Sequence, residues 1–188
     1  MVWLSSCSTP LPPPSFPALT DEQRVQQLLS FTHWQAQGRL AVTKGTQGGN
    51  ASFLWEQRGE NYRIRLWGPF GAHPIYIEGN SQGVRLHEQG KIKEAHSPEL
   101  LLQNLLGWTV PVSGLETWLK GLPLPTLPVH ALKKDDQHRL VSFQQQGWHI
   151  QYDAYQATDP LSLPTKLFLQ SDSLRVKIMV KTWQRLPA

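Results

Sequence analysis

The chain has 188 residues, enough for a single domain with a sizeable core after a short leader, and too few for two comfortable domains. Its one cysteine excludes an internal disulfide and any cysteine-rich metal site. A formal charge of +4, with Lys and Arg dispersed rather than blocked, argues against nucleic acid as a partner.

Residues 1–19 read as a leader. Leu4-Ser5-Ser6-Cys7 has the form of a bacterial lipobox, in which the cysteine becomes the lipidated first residue of the mature protein. The six residues ahead of Cys7 are too few for a basic region plus an apolar stretch, so they read as the tail of a truncated signal. The Pro- and Ser-rich run from Ser8 to Pro17 is an extended spacer that would hold a domain off a surface. Residues 20–188 form the domain.

Thr20-Asp21-Glu22-Gln23 is a capping box and predicts a helix to about Phe31. From Trp34 the apolar period changes to two: Trp34, Ala36, Gly38, Leu40 and Val42 share one face. A turn over Gly45 to Gly49 leads to Ala51, Phe53 and Trp55, and another at Arg58-Gly59-Glu60 to Tyr62, Ile64 and Leu66. Pro74 to Glu78, Gly83 to Glu88 and Gly90 to Glu94 continue the meander as shorter strands. Ser97-Pro98-Glu99 then opens a Leu-rich helix, and Ser113-Gly114-Leu115-Glu116 caps a short second one that Gly121 closes. A loop runs from Pro123 to Pro128. Alternation returns with Val141 and Phe143, a turn at Gln146-Gly147, and Trp148, Ile150 and Tyr152. Pro164 opens a strand with Leu167 and Leu169, and Leu174 to Val180 supplies the last.

About ten antiparallel strands with one apolar face curl, because strand twist accumulates. The expected architecture is mainly β with a few helices: an incomplete, open antiparallel barrel of about 10–11 strands, with helices between strands six and seven filling or capping its concave side. Eight Trp in such a chain suit a large apolar interior, a lipid-facing surface, or both. No nucleophile elbow, zinc-protease helix, phosphate loop or calcium loop occurs, and the seven His are scattered without ligand spacing. The expectation is a protein that is not an enzyme and takes neither metal nor cofactor. The inward set, Trp34, Leu40, Phe53, Trp55, Tyr62, Ile64, Leu66, Trp148, Ile150 and Tyr152, faces Leu102, Leu105, Trp108, Trp118 and Leu119 on the helices. Such a set builds either an ordinary core or, where it is underfilled, an apolar cavity. A second candidate is Trp67-Gly68-Pro69-Phe70-Gly71, where a large apolar residue stands in a Gly/Pro turn. Phe70 there either protrudes toward a bilayer or partner, or folds back on the sheet.

Taken together, Trp34 with Gly38-Arg39-Leu40-Ala41-Val42, Ala51-Ser52-Phe53-Leu54-Trp55, Tyr62 to Leu66, Gly68-Pro69-Phe70-Gly71, Leu106-Gly107-Trp108, Trp118-Leu119 and Gln146-Gly147-Trp148 resemble the LolB family of outer-membrane lipoprotein receptors. The resemblance runs in order from about Thr20 to Trp183. It implies a helix-covered hydrophobic cavity that binds the acyl chains of lipoproteins handed over by the periplasmic carrier LolA, and their insertion into the outer membrane. It further implies lipidation at Cys7, a membrane-inserting loop at Pro69, Phe70 and Gly71, and an acyl-chain cavity lined by the inward set. Partners would be LolA, lipoprotein cargo and outer-membrane phospholipid. The protein would be a monomer, lipid-anchored to the outer membrane of a Gram-negative cell and facing the periplasm. The alternative is a passive lipid-anchored lipoprotein whose sheet is solid and whose surface binds another protein.

Overall fold

The computed structural model describes residues 19–69, 74–106, 112–158 and 161–188. Helix α1 (Asp21–Ser30) starts at its sequence cap. Thr20 Oγ1 accepts the Gln23 backbone N–H at 3.3 Å, and Gln23 Oε1 accepts that of Thr20 at 3.0 Å, so two donors of the first turn are satisfied. A meander follows: β1 (His33–Lys44), β2 (Gln47–Arg58), β3 (Asn61–Trp67), β4 (Ile75–Asn80), β5 (Gly83–Glu88) and β6 (Lys91–Ala95). Helices α2 (Pro98–Leu106) and α3 (Val112–Leu119) lead to a second meander of β7 (His130–Lys134), β8 (Leu140–Gln145), β9 (Trp148–Thr158), β10 (Leu161–Gln170) and β11 (Arg175–Arg185).

The eleven strands make one sheet in the order β6-β5-β4-β3-β2-β1-β11-β10-β9-β8-β7. Two meanders thus meet where the first strand pairs with the last, and β6 and β7 are left as edges. The barrel is therefore open, and the helices between those edges lie against its inner side. α2 rests on β5 and β6, and α1 touches β10. The core is the concave face.

Close approach at the β1–β11 seam depends on Gly38. The register shifts between Gln37 and Gly38, and a Cβ at Gly38 would overlap the Met179 carbonyl oxygen and stand 2.9 Å from Phe53 Cε1. The missing side chain lets the bulged strand bend while Phe53 covers it. At the end of α3, Gly121 takes φ +84°, and the N–H groups of Gly121 and Leu122 donate to Trp118 O and Thr117 O. That is the paired closure a left-handed residue permits after a helix.

Four sequence expectations change. Helix α3 begins at Val112, so the backbone of Ser113 lies within the helix and not at the position before it. Pro164 lies within β10 and not at its start. The ladder to β9 is irregular from Pro164 to Lys166, where a missing N–H is tolerated. Val141 is 38% exposed while Leu140 is buried, because the β7–β8 register shifts between Lys133 and Lys134 and upsets the alternation. Strand β7 itself stands in a stretch with no expected element.

Candidate functional site

The concave face has two aromatic tracts. The first runs Phe31–Trp183–Trp34–Trp55–Tyr62, with ring centroids 6.4, 5.2, 5.6 and 6.4 Å apart in turn. After Phe31 it crosses β11, β1, β2 and β3 on the inward parity, each ring diagonal to the next: Trp183 and Trp55 oppose Ala36, two places from Trp34, and Tyr62 opposes Gln57, two places from Trp55. Polar tips are mostly absorbed: Trp55 Nε1 donates to Gln57 Oε1 at 2.9 Å, Gln57 Nε2 donates to Gly59 O at 2.7 Å, and Trp183 Nε1 donates to Pro164 O at 2.8 Å. Among the described residues, Trp34 Nε1 and Tyr62 Oη are buried without a partner. Burial, with Glu99 adding to it, raises the Tyr62 phenol to about 12. The tract continues toward β5 through Phe53, Ile64, Ile77, Val84 and Leu86, all buried, with Leu40 and Leu66 half-buried against them.

The second tract packs α3 on β8 and β9. Trp118, Phe143, Tyr152 and Tyr155 follow one another at 6.4, 6.3 and 5.8 Å. Trp118 Nε1 donates to Gln145 Oε1 at 3.0 Å, Tyr152 Oη donates to Trp118 O at 2.7 Å, and Tyr155 Oη donates to Leu140 O at 2.6 Å. Leu119, Trp148 and Ile150 are buried in the same core. Desolvation holds the Tyr152 and Tyr155 phenols well above their ordinary value.

The sequence-predicted residues thus divide. Trp34, Leu40, Phe53, Trp55, Tyr62, Ile64 and Leu66 line the β1–β3 side, and Trp118, Leu119, Trp148, Ile150 and Tyr152 the β8–β9 side. Helix α2 carries Leu102 and Leu105, whose side chains lie outside the described residues, as do Cys7, Phe70, Gly71 and Trp108. Pro69 is exposed just beyond β3. A cleft of about 930 Å³ opens at the rim where β3 begins and β4 ends, with Tyr62, Gly79, Val84 and Ala95 beside charged Arg63 and Glu78. A smaller apolar pocket of about 160 Å³ lies under α1, between Leu28, Leu122 and Leu140.

Sequence reasoning missed the polar residues that fix this interior. Gln57 and Gln145 are buried and sit on the inward parity of β2 and β8, two places beyond Trp55 and Phe143. A polar residue continuing an apolar alternation was the available signal. Arg24 is also buried: its Nη2 donates to Ser162 O at 2.8 Å, its guanidinium carbon lies 5.8 Å from the Tyr155 ring centroid, and desolvation lowers its pKa. Lys120, 4% exposed, is held by Glu116 at 2.6 Å. Among the described residues no three His, Cys, Asp or Glu side chains gather to hold a metal. What the concave face offers a ligand is burial, at about 25 cal/mol per Å² of apolar surface.

The open antiparallel barrel with helices on its inner face is a fold that solved proteins share. A LolA superfamily protein from Nitrosomonas europaea superposes with a TM-score of 0.57, covering 87% of this chain and 94% of that one at 6% identity. A DUF1329 family protein from Desulfovibrio piger gives 0.57 over 86% and 89% at 5% identity. The sequence carries the assignment further. Residues 32–183 match the family described as outer membrane lipoprotein LolB. Outer-membrane lipoprotein LolB of Alkalilimnicola ehrlichii is 34% identical over 98% of this chain and 92% of its own length; that of Pseudomonas putida is 39% identical over 85% and 78%. The chain belongs to the LolB family.

Proposed function

We propose that this protein is an outer-membrane receptor that accepts lipoproteins from the periplasmic carrier LolA by taking up their acyl chains, and then inserts them into the outer membrane. In this reading Cys7 carries the lipid anchor, and the chain faces the periplasm as a monomer. The inward residues of β1–β3, together with Leu102, Leu105 and Trp108 of the α2 region, bind the acyl chains. Trp118, Leu119, Trp148, Ile150 and Tyr152 complete the lining of the acyl-chain cavity from the α3 side. Pro69, Phe70 and Gly71 form the loop that meets the bilayer. The observation that supports the reading most is a continuous apolar concave face, from β11 through β1 to β5, in a sheet whose edges stay apart, in a member of the LolB family.

Physical chemistry requires such a device. Each buried methylene is worth about 0.8 kcal/mol, so exposing one acyl chain of about sixteen carbons costs on the order of 12 kcal/mol. Cargo therefore passes from cavity to cavity and then to membrane, each step toward better burial, with no nucleotide, metal or bond-making step. Apolar contacts suit cargo proteins that share only a lipid anchor.

The test is transfer. LolA loaded with an acylated lipoprotein is mixed with the chain, and pull-down reads where the cargo lies. Movement of cargo to the folded chain without nucleotide is the expected result. No movement from a competent carrier would overturn the reading and leave a passive lipoprotein in its place.

A further inference from the structure

Among the described residues, the outward face of the sheet carries a cation with no ion-pair partner, set against two rings. Arg65 points out from β3, exposed, with its guanidinium carbon 5.1 Å from the Trp67 ring centroid and 5.7 Å from that of Tyr76. No ion pair among the described residues includes it. The nearest outward carboxylates are engaged elsewhere: Glu78 lies 3.7 Å from Arg63, 3.8 Å from Arg85 and 3.4 Å from His87, and Glu56 lies 2.7 Å from Arg58. These pairs stand toward the end of the sheet away from Trp67.

Directly opposed residues share a face, so the register extends this triad. One row runs Leu54, Arg65, Tyr76, His87, Ile92. The next, nearer the end of β3, runs Trp67, Ser52, Arg39, Met179. Tyr76, Ile92 and Met179 are 47%, 59% and 48% exposed, and Arg39 is exposed as well. With strands about 4.8 Å apart, the rows make a shallow, basic and aromatic surface. Protein hot spots are pocketed and ringed by dry contacts. This surface instead spreads amphipathic rings and cations across a sheet, the combination that settles at a lipid headgroup layer. Stacking over rings occupies the faces of the guanidinium and leaves its N–H edge for a phosphate. The complementary surface is anionic.

We propose that Arg65, Trp67 and Tyr76, extended by Arg39 and Met179, form a bilayer-docking platform whose rings enter the headgroup layer and whose arginines hold lipid phosphates. Its orientation rests on the receptor reading, because β3 leads from Trp67 directly into the segment assigned there to the bilayer. Docking on this face would set that segment at the membrane and keep the concave side open to the carrier.

The experiment is flotation of the 188-residue chain with vesicles of phosphatidylethanolamine and phosphatidylglycerol, with no carrier or cargo present. The wild type binds, more weakly as salt rises, and Arg65→Glu lowers the binding by about tenfold or more. Bromine on the lipid acyl chains near the headgroup quenches a part of the fluorescence that Trp67→Phe removes. Unchanged melting temperatures establish that both variants fold. Equal flotation of Arg65→Glu and wild type, or quenching unaltered by Trp67→Phe, overturns the platform. So does an Arg65→Glu defect confined to cargo acceptance in solution, which would make the surface a protein dock. Cargo acceptance without vesicles reports the receptor reading separately: its failure with normal flotation sinks that reading and leaves the platform standing.

Discussion

One buried amide organises the second aromatic tract. Gln145 is 1% exposed and saturated. Its Oε1 accepts Trp118 Nε1 and the Leu124 backbone N–H, and its Nε2 donates to the carbonyls of Leu124 and Leu127 at 2.9 and 3.1 Å. It therefore ties α3, the loop after it and β8 together. Gln145→Leu keeps the volume but orphans two donors and two acceptors, of which some stay buried. The expected cost is about 2–4 kcal/mol in urea unfolding, well above that of a surface glutamine. Phe70, by contrast, tests chemistry and not stability. Glu at that position, in the Gly- and Pro-containing sequence between β3 and β4, puts a charge where the proposed function needs an apolar contact. Phe70→Glu is expected to keep the melting temperature and the acceptance of cargo, and to slow release of cargo into vesicles several-fold. Delivery at the wild-type rate would take Phe70 out of the mechanism.

Elements differ in how plainly the sequence announces them, and the reason is burial. β1, β2, β3, β9 and β11 alternate because one face of each is in the core, and α1 is announced by a cap that the structure reproduces. Thr20→Ala removes that cap, with an expected loss of about 1 kcal/mol, read as faster amide exchange in α1 while the sheet stays protected. Strand β7 gave no signal because all five of its residues are exposed: it is an edge strand whose pairing is irregular at both shifts, so no side chain selects a face. Its lysines and bulges are what keep an edge from pairing with another chain. The β1–β3 lining of the candidate site was legible by parity for the same reason as those strands. Whether an apolar face is packed or hollow depends on helix placement, which no strand pattern encodes. Of the polar anchors, Gln57 and Gln145 left only the sign of a polar residue on an inward parity, while Arg24 was illegible because it donates to the Ser162 carbonyl far along the chain, as Lys120 does to that of Phe31.

At the scale of the whole molecule the two aromatic tracts belong to one cooperative unit, since β1 pairs with β11 at the centre of the sheet and each meander carries one edge. Alkaline pH tests that unity. Tyr62 in the first tract, raised to about 12, and Tyr152 and Tyr155 in the second, also raised by burial, keep their protons longer folded than unfolded, where a phenol ionises near 10.0. The unfolded chain therefore binds fewer protons than the native one above that value, and stability falls with rising pH. The contribution is complete below the unfolded value and is lost as pH climbs from it through the folded values. The melting temperature should be level from neutral pH to about 9 and decline steeply beyond about 10, in one transition, because a charge forced into either tract is coupled to the other through the central strands. Tyr152→Phe keeps the ring but removes the hydroxyl that caps Trp118 O. It should lower the melting temperature at neutral pH and flatten the alkaline decline, since one of the three reluctant phenols is gone. Thermal scans at several pH values, with phenolate absorbance followed alongside β-sheet circular dichroism, give both readouts. Phenolate appearing ahead of unfolding would mean that water reaches the rings in the native state. Two separated transitions would mean that the halves of the barrel open independently.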